Sequence, residues 1–322
     1  MEKKLGMWQL KTDFLAEVTE FIERISEKKT AIDKARPLPT MAIERLKEEL
    51  AIEWTYNSNS IEGNTLSLNE TRVVLEEGMT IGGKSLREHF ETLNHHKAIG
   101  YIQNLVSPEY ELRAIDLLNL HEIVIKNIDD DFSGRIRTGT VRIMGANFTP
   151  PNPNLVSDLL DELIVYVNSN PDGLHPTILA TVFHHRFVWI HPFFDGNGRT
   201  VRLAMNLILQ KFGFPPAIIL KNDRKKYYSA LNNANKGDYQ KLALMMLQAT
   251  ERSLNIYLNL VPSAYQNYEL LSNIVKEEEV PYGMEYVSYL ARNGKINAYK
   301  EGRNWLSTKE DVLAYAKAQN KK

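Results

Sequence analysis

Residues 191 to 202 read HPFFDGNGRTVR, and their types and spacing suit one chemistry: holding a polyphosphate while an attacking hydroxyl is deprotonated. Helical apolar spacing runs up to Ile190, and Pro192 disfavours a helical conformation at the residue before it, so His191 belongs where a helix becomes a loop. Gly196-Asn197-Gly198 permits unusual backbone angles and close approach to a ligand. Arg199-Thr200-Val201-Arg202 then leads into the apolar helix LAMNLILQKF. Such a junction is an anion site: backbone N–H groups and the positive helix end face phosphate oxygens, and Arg199 and Arg202, three apart, add charge. A carboxylate at Asp195 would be repelled by polyphosphate unless a hard divalent cation bridges them, and Mg2+ commonly binds through one carboxylate plus phosphates. His191, with an ordinary pKa of about 6.5, can accept the hydroxyl proton near neutral pH, a contribution of about 10²- to 10⁴-fold.

This string resembles the Fic family signature HPFx(D/E)GNGRxxR at every fixed position, and the likeness extends more loosely over about residues 50 to 255. The resemblance implies a helical core with a β-hairpin flap, and transfer of AMP from Mg-ATP to a protein Ser, Thr or Tyr hydroxyl. It makes His191 the base and Asp195 the Mg2+ ligand. Gly196, Asn197, Gly198 and Arg199 would bind phosphates, and Arg202 would orient the β/γ end. Arg142, Ile143, Met144 and Gly145 would form the flap beside the nucleotide, and Tyr227, Tyr228 and Asn235 would line the ribose and adenine side. The implied partner is a protein segment laid against the flap, from another protein or from the chain itself; self-association as a homodimer could hold the inhibitory segment in place.

Upstream, Ser58-Asn-Ser-Ile-Glu62-Gly63-Asn64 resembles the (S/T)xxxE(G/N) inhibitory motif, in the class that carries it on an N-terminal helix. Glu62 near a helix end could pair with Arg202, occupying the arginine that a γ-phosphate needs and adding a repelling charge. The site would then be present but held off.

The elements that must position these groups are mainly helical. Apolar residues at three- and four-residue steps predict helices over 10–35 and 41–57, separated by Pro37 and Pro39. Ser67 to Glu70 is a capping-box pattern. Further helices are expected over 85–105, 112–127, from Val156, and from Pro176 to Ile190. The β-branched alternation from Gly134 to Gly145 predicts a short hairpin, ended by Pro150, Pro151 and Pro153. A composition shift after Val261-Pro262 sets off a small tail domain (265–322), and the resemblance implies a core over 111–260 preceded by a helical N-terminal region (1–110). The tail, EYVSYLARNGKINAYKEGRNWLSTKEDVLAYAKA, looks like an excisionase-type winged helix. Lys295, Lys300 and Arg303 could touch phosphates there, but Glu301 sits among them and no second basic recognition helix is visible. Protein docking or a structural role fits it better than DNA binding.

With 322 residues, 43% hydrophobic and 25% charged, the chain can bury a sizeable core, and a net charge of −1 argues against a wholesale electrostatic partner such as duplex DNA. The absence of cysteine excludes thiolate zinc sites and cysteine nucleophiles. No apolar stretch approaches the ~20 residues that span a bilayer, and MEKKLGMWQLKTDF lacks a secretory h-region, so the cytoplasm is the expected compartment. Residues 78 to 85, GMTIGGKS, match the P-loop expression letter for letter, but a charged helical segment precedes them where a P-loop needs a buried strand; Ser85 reads better as a helix cap. His184 and His185 lack metal-ligand spacing and read as core groups. The alternatives are a nucleotide-sensing DNA-binding regulator, a Doc-like phosphotransferase, whose phosphate loop departs from the glycine at Gly198, and an enzyme removing AMP through a Glu62-assisted water.

Overall fold

Local signals in the sequence set several helix ends. A computed structural model describes residues 13–261 and 268–319; the predicted helix start at residue 10 and the outer residues of the predicted tail lie outside these. The helices are α1 (Asp13–Lys34), α2 (Thr40–Glu62), α3 (Leu68–Glu76), α4 (Leu86–Leu105), α5 (Ala114–Ile125), α6 (Val156–Ser169), α7 (Pro176–Ile190), α8 (Asn197–Lys211), α9 (Arg224–Ala234) and α10 (Gln240–Leu258). The mainly α class is therefore the observed one. Complete capping boxes open α3 (Ser67 with Glu70) and α4 (Ser85 with Glu88), each satisfying two otherwise orphaned N–H groups. Ser85 is thus a cap, and Lys84 of the P-loop look-alike donates to the Thr65 carbonyl at 2.8 Å.

Helix α2 runs five residues past the predicted end at 57. Asn57, Ser58, Asn59 and Ser60 are poor helix formers because their side chains compete for the backbone, but here all four are buried and three have tertiary partners. Asn57 accepts from the Lys221 N–H (2.8 Å), Ser58 meets Arg202, and Asn59 donates to the Glu91 carbonyl (3.2 Å). The helix stops at a Schellman turn: Gly63, at φ +110°, donates to Ser60 O and Asn64 donates to Asn59 O. That turn fixes where Glu62 points.

One hydrophobic core reaches from Phe14 to Leu254 and takes side chains from both sides of residue 110. At its centre, α7 and α8 pack on each other and are buried over most of their length. Helices α2, α4 and α5 pack around α8, so the segment that ends at Glu62 shares an interior with the central motif.

The arms of the stretch from Gly134 to Gly145 form no ladder with each other; paired strands among the described residues occur only in the tail. Each arm is tied elsewhere. The first donates from Arg137 N to Pro192 O (2.9 Å), and the second is held through Asn147 by Asn232 on α9. The tip is a turn closed by Ala146 N to Ile143 O (3.3 Å), with Gly145 at φ +78° as that geometry demands. The flap shape survives without the expected strand pairing.

The tail comprises β1 (Glu269–Leu270), α11 (Leu271–Ile274), α12 (Met284–Arg292), β2 (Ala298–Glu301), β3 (Asn304–Ser307) and α13 (Lys309–Gln319). Its antiparallel sheet, in the order β1-β3-β2, pairs Lys300 with Trp305, and Leu271, Val287, Leu290 and Val312 belong to a separate small core. Buried Glu251 of α10 anchors the junction. It accepts from Arg24 (2.6 and 3.0 Å) and Lys28 (2.7 Å), while Lys28 also bonds Asn297 and Arg24 bonds the Gly294 carbonyl (2.9 Å). No helix among the described residues is long and apolar enough to cross a membrane.

Candidate active site

His191 caps α7 in the left-handed conformation (φ +51°, ψ +63°), its N–H bonded to Phe187 O at 2.9 Å. A non-glycine residue there is uncommon and costs energy that surrounding contacts must offset. Arg137 supplies those contacts. Almost fully buried, it donates from Nε to His191 O (2.7 Å), from Nη2 to Pro151 O (2.7 Å) and Ile190 O (3.3 Å), and from Nη1 to Gly139 O (2.9 Å). One side chain thus staples the flap arm to the turn that aims His191. Burial pushes the His191 pKa down to about 4, so the ring is neutral near pH 7. Its Nδ1 lies 3.4 Å from the Val188 carbonyl; a proton on Nδ1 leaves Nε2 as the basic nitrogen.

The loop from Pro192 to Gly196 is braced from inside. Asn197 grips Phe193 twice, Oδ1 accepting its N–H (3.0 Å) and Nδ2 donating to its carbonyl (2.8 Å), so this predicted nucleotide contact also shapes the loop. His121 on α5 stacks on Phe193 at 3.7 Å between centroids. The Gly134 N–H donates to His121 Nδ1 (3.1 Å), which leaves Nε2–H to donate to Asp195 O (3.0 Å). Gly196 sits at φ +75°, and a Cβ there would come within 2.7 Å of Ile125. It precedes α8 with no side-chain cap, leaving the first-turn N–H groups available to an anion.

The two arginines are buried and turned toward acids. Arg202 donates to Ser58 Oγ (3.0 Å), Ser58 O (2.8 Å) and Glu62 Oε1 (2.8 Å). Arg199 lies 3.3 Å from Glu91 and 3.6 Å from Asp195. Arg199 Nε and Arg202 Nη1 are buried without hydrogen-bond partners, as donors awaiting an anion would be. A Cβ on Gly198 would overlap the Glu62 carboxylate, so the glycine makes room for an oxygen directly over the helix start. Asp195 accepts from Gly196 N–H (2.6 Å) and Arg87 Nη2 (2.6 Å). It fits a Mg2+ ligand by donor type. Among the described residues no three His, Cys, Asp or Glu form a metal cluster, so a cation here would draw its other ligands from phosphates and waters, the usual habit of Mg2+.

Tyr227 is buried with its hydroxyl on His184 Nε2 (2.9 Å); Tyr228 is half-exposed, 3.4 Å from Ile61 O. Asn235 accepts from His185 Nε2 (2.9 Å) and donates to Asn147 Oδ1 (3.0 Å). His184 and His185 therefore hold Tyr227 and Asn235 in place. At the flap tip Arg142 and Met144 are exposed, Gly145 O accepts from Asn232 (3.2 Å), and Ile143 is half-buried. In the tail, Lys300 lies 2.5 Å from Asp223, which removes it from the cations open to phosphate. Sequence reasoning missed Arg137, His121, Glu91 and Asn232. Each lies far from the motif in sequence, and only the arginine-rich run Arg135-Ile-Arg137 hints at one of them.

Residues 111–209 match the Fic/DOC family. The chain is 36% identical over 282 residues to "Protein adenylyltransferase Fic" of Aedes aegypti, covering 87% of this chain and 55% of the relative. It is 37% identical over 229 residues to "Protein adenylyltransferase fic-1" of Caenorhabditis elegans, covering 70% and 45%; the chain spans about half the length of the curated relatives it matches. A solved structure of Fic-1 from C. elegans is 34% identical with a TM-score of 0.69, covering 78% of this chain and 74% of that one. A Fic family protein from Desulfovibrio desulfuricans G20 shares the fold over 94% of this chain and 97% of its own, at TM-score 0.64 and 21% identity. The shared motif, the shared fold and this level of identity mean that the chain belongs to the Fic/DOC family.

Proposed function

We propose that the chain is a protein adenylyltransferase that moves AMP from Mg-ATP to a Ser, Thr or Tyr hydroxyl, and that Glu62 holds it largely off. The target hydroxyl oxygen forms a bond to the α-phosphorus, the α–β anhydride P–O bond breaks, pyrophosphate leaves, and the hydroxyl proton passes to His191 Nε2. The observation that carries this reading is the placement of a neutral imidazole, aimed by a left-handed turn, beside the uncapped N-terminus of α8. The helix start, Gly196 to Gly198 and Arg199 hold phosphates, and Arg202 orients the β/γ end. Asp195 holds Mg2+, which supplies charge neutralisation on the phosphates. Tyr227, Tyr228 and Asn235 frame the nucleoside side. Catalysis is then positioning plus proton removal.

The unladdered flap around Arg142 to Gly145 supports a protein target, because arms that pair with no strand leave backbone groups for a second chain segment. Target, auto-modification and homodimer formation belong to this reading, with the cytoplasm, a reducing compartment, as the proposed place. Pairing of Glu62 with Arg202 at 2.8 Å supports autoinhibition, since the carboxylate stands where an anion would meet the Gly198 backbone. Incubating Glu62→Gly with α-labelled or γ-labelled ATP tests the reaction. Label from the α position alone is expected; label from γ alone would mean phosphotransfer.

A further inference from the structure

We infer that Arg87 is a second, independent restraint on this site: a positioning residue that holds the Asp195 carboxylate away from a divalent cation. The inference rests on the reading of Asp195 as a metal ligand.

Four side chains close a ring of alternating charge. Arg87 Nη2 lies 2.6 Å from Asp195 Oδ2, Asp195 Oδ1 lies 3.6 Å from Arg199 Nη2, Arg199 Nη1 lies 3.3 Å from Glu91 Oε1, and that same oxygen lies 3.3 Å from Arg87 Nε. Both Asp195 oxygens are therefore committed, Oδ2 to Arg87 and Oδ1 to the Gly196 N–H. A cation approaching Oδ2 meets a positive charge already seated on it.

The ring is also tied to the inhibitory segment. Glu91 Oε2 accepts from Asn64 Nδ2 at 3.0 Å, two residues past Glu62 on the turn that ends α2. The Glu62–Arg202 pair and the Arg87–Asp195 pair share no atom, so loss of Glu62 frees Arg202 and leaves Oδ2 occupied.

Exposure decides which member yields. The Arg87 side chain is 55% exposed whereas that of Arg199 is 3% exposed. Arg87 can withdraw into water at small cost, while Arg199 cannot leave without stranding a buried charge. When a divalent cation takes Oδ2, Arg87 swings out, and Glu91 stays to hold Arg199. A pair this exposed is weak, so the expected effect is about two- to fivefold in affinity.

The opposite role, Arg87 as a phosphate ligand, predicts the opposite sign. Calorimetric titration of the non-hydrolysable analogue α,β-methylene ATP into Glu62→Gly and into Glu62→Gly/Arg87→Gln, with Mg2+ or with EDTA, separates them. The proposal predicts two- to fivefold tighter binding in the double variant with Mg2+, and no gain in EDTA. Arg87→Lys, which keeps a cation within reach, is expected to lack the gain. Unchanged or weaker binding with Mg2+, or an equal gain in EDTA, overturns the proposal. Failure of the underlying nucleotide reading looks different, as no binding by Glu62→Gly under either condition, and it would take the Arg87 proposal with it.

Discussion

The Glu62 carboxylate sits against Gly198, so closely that a single added carbon on the glycine would overlap it. The same carboxylate reaches Arg202, 2.8 Å away. One acid thus covers the first turn of α8 and occupies the arginine behind it, which joins the end of α2 to the start of α8. In the proposed account these two contacts are the restraint, and everything that positions the Gly63 turn contributes to it.

The depressed pKa of His191 gives a pH prediction with a definite sign. A ring whose folded pKa is about 4 stays neutral, and so basic, through the range from pH 6 to 8. Transfer by Glu62→Gly is expected to show no loss attributable to His191 until the pH falls toward 4. A pH–rate profile with an acid limb near the ordinary imidazole value of about 6.5 would contradict the burial argument. Stability follows the same direction. His121, His175, His185 and His191 all have folded values of about 4, below the unfolded value of about 6.5. Their contribution is present above about pH 6.5 and declines as pH falls toward 4, because the unfolded chain binds more protons there. Urea midpoints at pH 7.5 and 5 would measure it.

Arg137→Ala is expected to cost about 2–5 kcal/mol of stability, since it leaves one buried and three part-buried carbonyls without this donor. It should also lower transfer, because the turn that aims His191 loses its brace. Arg137→Lys cannot reproduce the planar fork and should recover little. Chemical denaturation and label transfer on the same preparations test both parts.

How much of this could be read from the chain depends on distance in sequence. His191, Asp195, Arg199 and Arg202 fall within one local string, so periodicity and glycine content place them at a helix–loop–helix junction. The capping boxes at Ser67 and Ser85 are local too, and were readable. Glu62 was readable through its motif, but the continuation of α2 through Asn57 to Ser60 was not: local propensity opposes it, and partners such as Glu91, Arg202 and Lys221 override that propensity. The Gly134–Gly145 ladder failed for a related reason. Alternation shows that a segment can be extended, while Arg137 and Asn147 decide what it is tied to. Arg137 and Arg87 carry no motif, and only tertiary placement shows their work.

Glu251→Ala is expected to cost about 3–5 kcal/mol, because buried Lys28 and half-buried Arg24 lose their shared counter-charge. As those residues also reach Asn297 and Gly294, the tail should loosen from α1 and α10. Hydrogen exchange should rise across residues 284–307 while α7 and α8 remain protected. Equal exchange in the variant and the parent chain would show that the tail is held by other contacts.

The central claim is that a competent adenylyl-transfer site is present and held off by Glu62. Its most direct measurement is the rate of protein labelling from α-labelled ATP in the unaltered chain, in Glu62→Gly, and in Glu62→Gly/His191→Ala. Loss of a charge-assisted contact of about 1.5–3 kcal/mol corresponds to roughly 10- to 100-fold faster labelling in Glu62→Gly, and labelling should vanish when His191 is also removed. Equal rates in the unaltered chain and Glu62→Gly would contradict the restraint, and labelling that persists without His191 would contradict the site.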